Sequence, residues 1–204
     1  MLLNTVEKAL MNNPVRAAIQ RTYEASVLER FGGRVDGGHV LEVGCGRGVG
    51  TELILGRFGA GDVTAIDLDD DMVRRARLRL ARFGDRATVT VGDVTAIDAG
   101  DGVFDAVFDF GIIHHVPDWR SALVEVRRVL RPGGRFYFEE VTRHALDRWS
   151  YRTFLDHPTD DRFAGDEWIS ALGDVGLDVG DRWVERFFGD FVIGVAVARS
   201  PTGV

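Results

Sequence analysis

The stretch Val40-Leu-Glu-Val-Gly44-Cys-Gly46-Arg-Gly48-Val-Gly50 decides the fold of this chain. His39 to Val43 is a short apolar run of buried-strand length, and a helix is expected from Val49 to about Phe58. Between them, glycines let the backbone approach a ligand closely, while N–H groups at the helix start attract an anion. A nucleotide, a dinucleotide or merely a tight turn would each explain such a cluster. Spacing narrows the choice. The dinucleotide fingerprint G-x-G-x-x-G would need a glycine at Val49 when counted from Gly44, and at Thr51 when counted from Gly46. A Walker loop needs Gly-Lys-Ser/Thr, and the cluster holds no lysine. The register that is filled is E-x-G-x-G-x-G, from Glu42 to Gly48.

Outward from this turn, strands and helices alternate. Upstream, residues 15 to 31 carry apolar side chains at helical spacing after Pro14, and Gly32-Gly33 ends the run. Downstream, a strand at Val63 to Leu68 runs into Asp69-Asp70-Asp71, whose carboxylates suit the start of a helix from Met72 to Phe83. Further strands are expected at Ala87 to Val91, Phe104 to Ile112 and Arg135 to Val141, with a helix at Trp119 to Leu130 stopped by Pro132-Gly133-Gly134. Such alternation indicates βαβ units and a doubly wound parallel sheet covered on both faces. The end differs. Leu177 to Phe187, a Gly189-Asp190 turn and Phe191 to Arg199 follow one another without a helix, so an antiparallel hairpin should close the sheet with a reversed edge.

The chain has 204 residues, a net charge of -7 and a single cysteine, Cys45. That length can bury a core needing no disulfide or metal, and a lone cysteine suits a reducing cytosol. No apolar run approaches the ~20 residues of a membrane span. The first residues, Met1 to Lys8, lack a basic stretch followed by an apolar core, so no secretory signal is expected. The acidic balance argues against a phosphate backbone as partner, leaving a small molecule or a protein as the default.

Four separate stretches match, in order, one known family. They are Glu42-Val-Gly-Cys-Gly-Arg-Gly48, Ala65-Ile-Asp67-Leu68, Gly92-Asp93-Val94, and Phe104-Asp-Ala-Val107 through His114-His115-Val116 to Leu130-Arg-Pro-Gly-Gly134. In these the chain resembles the class I S-adenosylmethionine-dependent methyltransferases, in particular the small single-domain type similar to ubiquinone and menaquinone biosynthesis methyltransferases. The resemblance implies an α/β fold: a doubly wound, seven-stranded, mostly parallel Rossmann-like sheet with an antiparallel C-terminal strand, plus N-terminal helices. It implies S-adenosyl-L-methionine as cofactor. Gly44, Cys45, Gly46 and Gly48 would lie under its methionine part, and Glu42 would orient the ammonium group through water. Asp67, with Leu68 beside it, would accept from both ribose hydroxyls, a role a carboxylate at a strand's carboxyl end can fill bidentately. Asp93 would meet the adenine amino group with the Val94 N–H nearby, Phe110 and Gly111 would offer a carbonyl to the ammonium, and Tyr23 would close over the cofactor.

Methyl transfer from a sulfonium is an in-line displacement needing alignment, a dry pocket and, for a hydroxyl or protonated amine, a route for the proton. No metal is required. His114 and His115 are the catalytic candidates, since an imidazole has the intrinsic pKa of a base near neutrality. Placed on a strand, only one ring would face the cleft; the family's matching position makes that His114, with His115 packing behind it or bonding backbone. For each the alternative is a purely structural hydrogen bond. The chain reads as one domain, 1–204: a helical cap (1–33), a cofactor-binding core (34–141), a substrate-side insertion (142–166) and a C-terminal helix and hairpin (167–204). The insertion carries His144, Trp149, Tyr151, Phe154 and His157 and should roof the pocket in part, while Trp168, Ile169, Leu172 and Val175 are expected in the core. Leu2, Leu3, Val6, Ala9 and Leu10 suit a lid or a homodimer contact. The expected activity is methyl transfer to O, N or C of a small, partly apolar acceptor in the cytoplasm. An NAD-linked oxidoreductase and a non-catalytic cofactor-binding protein are the rivals.

Overall fold

The computed structural model describes residues 18–147 and 161–200. Trp149, Tyr151, Phe154, His157 and the apolar residues of the first ten positions fall outside the described residues. A π-helical turn, Gln20–Glu24, leads into α1 (Ala25–Gly32), which ends at Gly33 with φ +73°. Then β1 (His39–Val43), α2 (Val49–Gly56), β2 (Asp62–Asp67), α3 (Asp70–Leu80), β3 (Ala87–Val91), β4 (Phe104–Phe110), α4 (Trp119–Val129) and β5 (Leu130–Val141) follow, alternating except between β3 and β4. A short α5 (Arg143–Leu146) and α6 (Gly165–Asp174) precede β6 (Leu177–Asp178), β7 (Trp183–Arg186) and β8 (Phe191–Ala198). The expected acidic helix start is present: the Asp69 side chain accepts from the Asp71 N–H at 2.9 Å and caps α3.

All eight strands form one sheet in the order β3-β2-β1-β4-β5-β8-β6, with β7 also paired to β8. The first five strands are mutually parallel, and β8 runs antiparallel to both of its sides. Two details differ from the sequence reading. The stretch from Leu177 to Phe187 is two strands rather than one, because Gly180 turns the chain at φ +56° between them. The hairpin forms, yet its reversed strand is not the edge: β8 inserts between β5 and the short β6 and β7. Seven residue pairs along β5, from Arg135↔Val197 to Val141↔Phe191, bond β8 into the sheet interior. An apolar strand such as Phe191–Ala198 is better protected there than at an open edge.

Both faces are covered. Phe136, Tyr137 and Phe138 are each fully buried, although alternate side chains point to opposite faces. Phe136 and Phe138 pack with Leu41, Val107, Trp119 and Trp168 on the side of α4 and α6. Tyr137 stacks on Phe108 at 4.2 Å and joins Phe58 and Leu28 on the other side. Its hydroxyl donates to the carbonyls of Gly32 and Gly33 at 3.0 and 3.1 Å, tying the end of α1 to the sheet. Trp168 and Leu172 are buried as expected, with Ile169 and Val175 packed at the margin of the same core.

Candidate functional site at the carboxyl ends of the strands

The order of strands reverses between β1 and β4, so the loops leaving their carboxyl ends diverge and open a crevice. Gly44 begins the loop after β1 at φ +66°, where an added Cβ would stand 2.4 Å from Ile112. Only glycine lets the two loops meet so closely. The Cys45 N–H donates to the Ile66 carbonyl at 2.9 Å, and burial pushes the Cys45 thiol up, leaving it inert. Gly46 takes φ +51° with nothing within 4 Å of an added Cβ. Gly48 instead turns toward α3, where a Cβ would meet Leu80 at 2.9 Å. One glycine of the cluster therefore sets helix packing while its neighbours shape the loop.

Asp67 ends β2. Its Oδ2 accepts from the Gly46 N–H at 2.8 Å and its Oδ1 from the Asp69 N–H at 2.9 Å, so both neighbouring loops hold the carboxylate in one orientation. Beside it lies a cavity of about 320 Å³, which is room for a nucleoside-sized ligand. Gly44, Asp67, Leu68, Asp93, Val94 and His115 border it, joined by apolar walls from Ile66, Ile112 and Val116. The chain thus brings six of the residues singled out in the sequence around one space. Asp93 uses Oδ1 to accept from the Thr95 N–H and hydroxyl at 2.8 and 2.7 Å, which fixes the turn after β3. Tyr23 does not border this cavity; its hydroxyl meets the Arg186 guanidinium at 2.5 Å.

Glu42 is buried behind the glycine loop, accepting from the Thr51 hydroxyl, and the missing Cβ of Gly50 leaves space for its Oε1. Burial pushes the Glu42 carboxyl up to about 8, with the Asp67 and Asp109 carboxylates adding and the Thr51 hydroxyl opposing. Near neutrality it carries a proton, and an approaching cation would drive that proton off. The Phe110 ring packs over Gly50 and against Phe108, and Gly111 leaves β4 at φ +84°.

The histidine pair is placed differently from the sequence reading. The strand stops at Phe110, and Ile113–His115 forms a 3₁₀ turn. On such a turn consecutive side chains do not leave on opposite sides, and the two rings lie 4.1 Å apart. It is His115 that borders the cavity beside Asp67; His114 borders a smaller cleft beyond Val116, lined also by Trp119, Leu146, Phe163, Asp161 and Arg162. His114 Nδ1 lies 2.6 Å from Glu140 Oε2. Glu140 is fully buried and further accepts from the N–H groups of Ile113 at 2.6 Å, His114 at 3.2 Å and Val141 at 3.3 Å. Burial pushes the Glu140 carboxyl up to about 7 against the pull of those bonds. Asp109, also fully buried, accepts at Oδ1 from Gly111 and Ile112 N–H at 3.1 and 3.0 Å. On α5, His144 Nδ1 pairs with Asp190 Oδ1 at 2.8 Å.

Glu140 and Asp109 escaped the sequence reading. Their signal was an acid inside an apolar strand, in Val-Phe-Asp109-Phe and Tyr-Phe-Glu-Glu140-Val. In a sheet covered on both faces such acids have no solvent side to face. Among the described residues no three His, Cys, Asp or Glu side chains converge as a metal ligand set, and no helix is long and apolar enough to cross a membrane.

Residues 40–134 match the model of a methyltransferase domain family. A ubiquinone biosynthesis O-methyltransferase of Xanthomonas axonopodis is 37% identical over 134 residues, covering 64% of this chain and 51% of that protein. A fatty-acid O-methyltransferase of Mycolicibacterium smegmatis is 35% identical over 125 residues, 61% of this chain and 44% of that protein. The chain thus spans about half the length of the curated relatives it matches. Among solved structures, a SAM-dependent methyltransferase from Aquifex aeolicus superposes with a TM-score of 0.72 at 24% identity, over 95% of this chain and 97% of that one.

Proposed function

We propose that the chain, whose residues 40–134 match a methyltransferase domain family, is a class I S-adenosylmethionine-dependent methyltransferase that carries a methyl group to an oxygen, nitrogen or carbon of a small, partly apolar acceptor. The observation that carries this reading is the Asp67 carboxylate, held by the Gly46 and Asp69 N–H groups at the edge of a nucleoside-sized cavity. The residues present fit the cofactor. Asp67 would bind the ribose hydroxyls, Asp93 and the Val94 N–H the adenine edge, and Gly44 with Gly46 would let the methionine part lie against the backbone. Glu42 would hold the ammonium group, with the carbonyl near Phe110 and Gly111 as a second acceptor. When bound, the sulfonium supplies a methyl that is displaced in line, the C–S electron pair returning to sulfur.

His114 would take the proton an acceptor hydroxyl or ammonium gives up. Its Nδ1 faces Glu140, so Nε2 is the accepting nitrogen in this reading, and the Glu140 carboxylate would stabilise the imidazolium that forms. His115, which borders the cavity, would shape the wall beside the transferable methyl. The acceptor would approach on the side of His114, where Trp119, Leu146 and Phe163 line a small cleft together with Asp161 and Arg162. We take the chain to act as one domain in the cytoplasm, on a small molecule rather than nucleic acid, in keeping with its net charge of -7.

The test is calorimetric titration with S-adenosylhomocysteine, followed by labelled methyl donor and a metabolite panel with mass detection of the product. Wild type should bind. Asp67→Ala should lose two charge-assisted bonds of about 1.5–3 kcal/mol each, hence at least about 100-fold in affinity. Unchanged affinity in the variant would sink the assignment, and binding of NAD in place of S-adenosylhomocysteine would favour an oxidoreductase.

A further inference from the structure

The chain turns from β7 into β8 through Phe187-Phe188-Gly189-Asp190. Phe187 and Phe188 both take left-handed backbone, at φ +53° and +61°. In that conformation the Cβ of an L residue crowds the following carbonyl, and a hairpin turn that needs it normally carries Asn and Gly. Here two of the bulkiest apolar side chains occupy it, and they are 64% and 95% exposed. Phe187 keeps an edge-to-face contact with Phe191 at 5.8 Å, while the Phe188 ring stands almost wholly in solvent. Strained backbone that displays apolar rings to water serves neither folding nor solubility, and points to something bound there.

The residues on both sides of the pair are held. Arg186 Nε meets the Tyr23 hydroxyl at 2.5 Å, which ties the end of β7 to the N-terminal helical turn. At the other end the Thr142 N–H donates to the Asp190 carbonyl at 2.9 Å, the Thr142 hydroxyl donates to the Gly189 carbonyl, and His144 pairs with the Asp190 carboxylate. Thr142 forms the corner between β5 and α5, and Val141 and Leu146 on either side of that corner line the cleft beside His114. The turn therefore stands at the carboxyl end of the sheet, bonded to a wall of that cleft, with its two rings fixed before anything binds. The cleft is small, so most of an acceptor whose reacting atom reaches His114 must lie outside it.

We propose that Phe187 and Phe188 form a clamp for an apolar tail of the methyl acceptor, and so set specificity for acceptors that carry an alkyl chain beyond the atom to be methylated. This rests on the reading of the chain as a methyltransferase whose acceptor approaches beside His114. The rings touch the tail and not the reacting atoms, so they act on binding alone. Their fixed placement limits the ordering cost of that contact.

The experiment uses the full chain and a series of 4-hydroxybenzoate alkyl esters, methyl to hexyl, titrated calorimetrically with and without S-adenosylhomocysteine. Affinity of the wild type should rise about twofold per methylene, the gain for taking half of each added CH₂ out of water. Phe187→Asn and Phe188→Asn should flatten that slope and leave the affinities for the methyl ester and for S-adenosylhomocysteine as they were. Asparagine accepts left-handed backbone, so neither variant loses the turn. A wild type whose affinity does not grow with chain length would overturn the proposal, as would a slope that survives both substitutions. Two other occupants have their own signatures. A wild-type dimer that Phe188→Asn dissociates in sedimentation, or wild-type binding to phosphatidylcholine vesicles that Phe188→Asn abolishes, in either case with no slope in the ester series, would give the rings to a second copy or to a lipid surface and overturn it too. Loss of S-adenosylhomocysteine binding with the slope intact would remove the methyltransferase reading and leave the apolar clamp, so the two failures are told apart.

Discussion

Replacing Glu42 by Gln isolates a single buried proton. In the native state burial raises the Glu42 carboxyl from 4.5 to about 8, so the folded chain holds a proton that the unfolded chain releases above pH 4.5. Between those two values the native state binds more protons than the unfolded one, and stability falls as pH rises. At 1.36 kcal/mol per unit, the loss between pH 5 and pH 9 is about 4 kcal/mol. The glutamine side chain of Glu42→Gln keeps the volume and offers an oxygen to the Thr51 hydroxyl but has no proton to lose. The variant should match wild type near pH 5 and outlast it progressively up to pH 9. For a chain of this size, ~2–4 °C per kcal/mol makes the gap in melting temperature roughly 8–16 °C. The other buried acids titrate in both proteins and largely cancel in the difference. Scanning calorimetry at half-unit pH steps reads the effect directly. Parallel curves for the two proteins would refute the reasoning, because they would mean that Glu42 is already ionised and compensated in the fold. If Glu42 also meets the ammonium of S-adenosylhomocysteine, binding to wild type near pH 7 should release a proton that the Gln variant does not, visible as a buffer-dependent heat.

Two more substitutions probe the same crevice. His114→Ala should lower turnover ~10²-fold while leaving S-adenosylhomocysteine affinity as it was; wild-type turnover would reduce the residue to a structural hydrogen bond with Glu140. Gly44→Ala forces a side chain into left-handed backbone and against Ile112, at a cost of about 2–4 kcal/mol. Its melting temperature should drop by roughly 5–10 °C with weaker cofactor binding, and an unaltered melting curve would show that the loop relaxes freely.

Much of the architecture was legible because both periodicities survive in the sequence. Strands β1 to β4 begin within one residue of where the apolar runs begin, and a glycine follows β1, β3 and β4, so order and type followed from local chemistry. The place of β8 was not legible. Hairpin pairing between β7 and β8 is local, but insertion of β8 beside β5 joins residues as many as about sixty positions apart. Asp67 and Asp93 were legible through the motifs that resemble the methyltransferase family, whereas Gly44, Gly46 and Gly48 answer a demand of the backbone itself, a positive φ at each.

The buried acids are the opposite case. Asp109 and Glu140 each look like an ordinary acid in a strand, and neither position alone says that the other stands across the β4–β5 register. The same holds for the histidines, whose roles depended on where β4 stops: one residue pair on a 3₁₀ turn puts His115 at the cavity and His114 against Glu140. The sequence by itself determined the doubly wound sheet, the glycine turn and the acid at the end of β2, since propensity and spacing are properties of neighbours along the chain. Only the tertiary structure decided which acids are buried beneath the loop after β4 and which imidazole faces which pocket, because burial and charge coupling arise between residues that the fold alone makes neighbours.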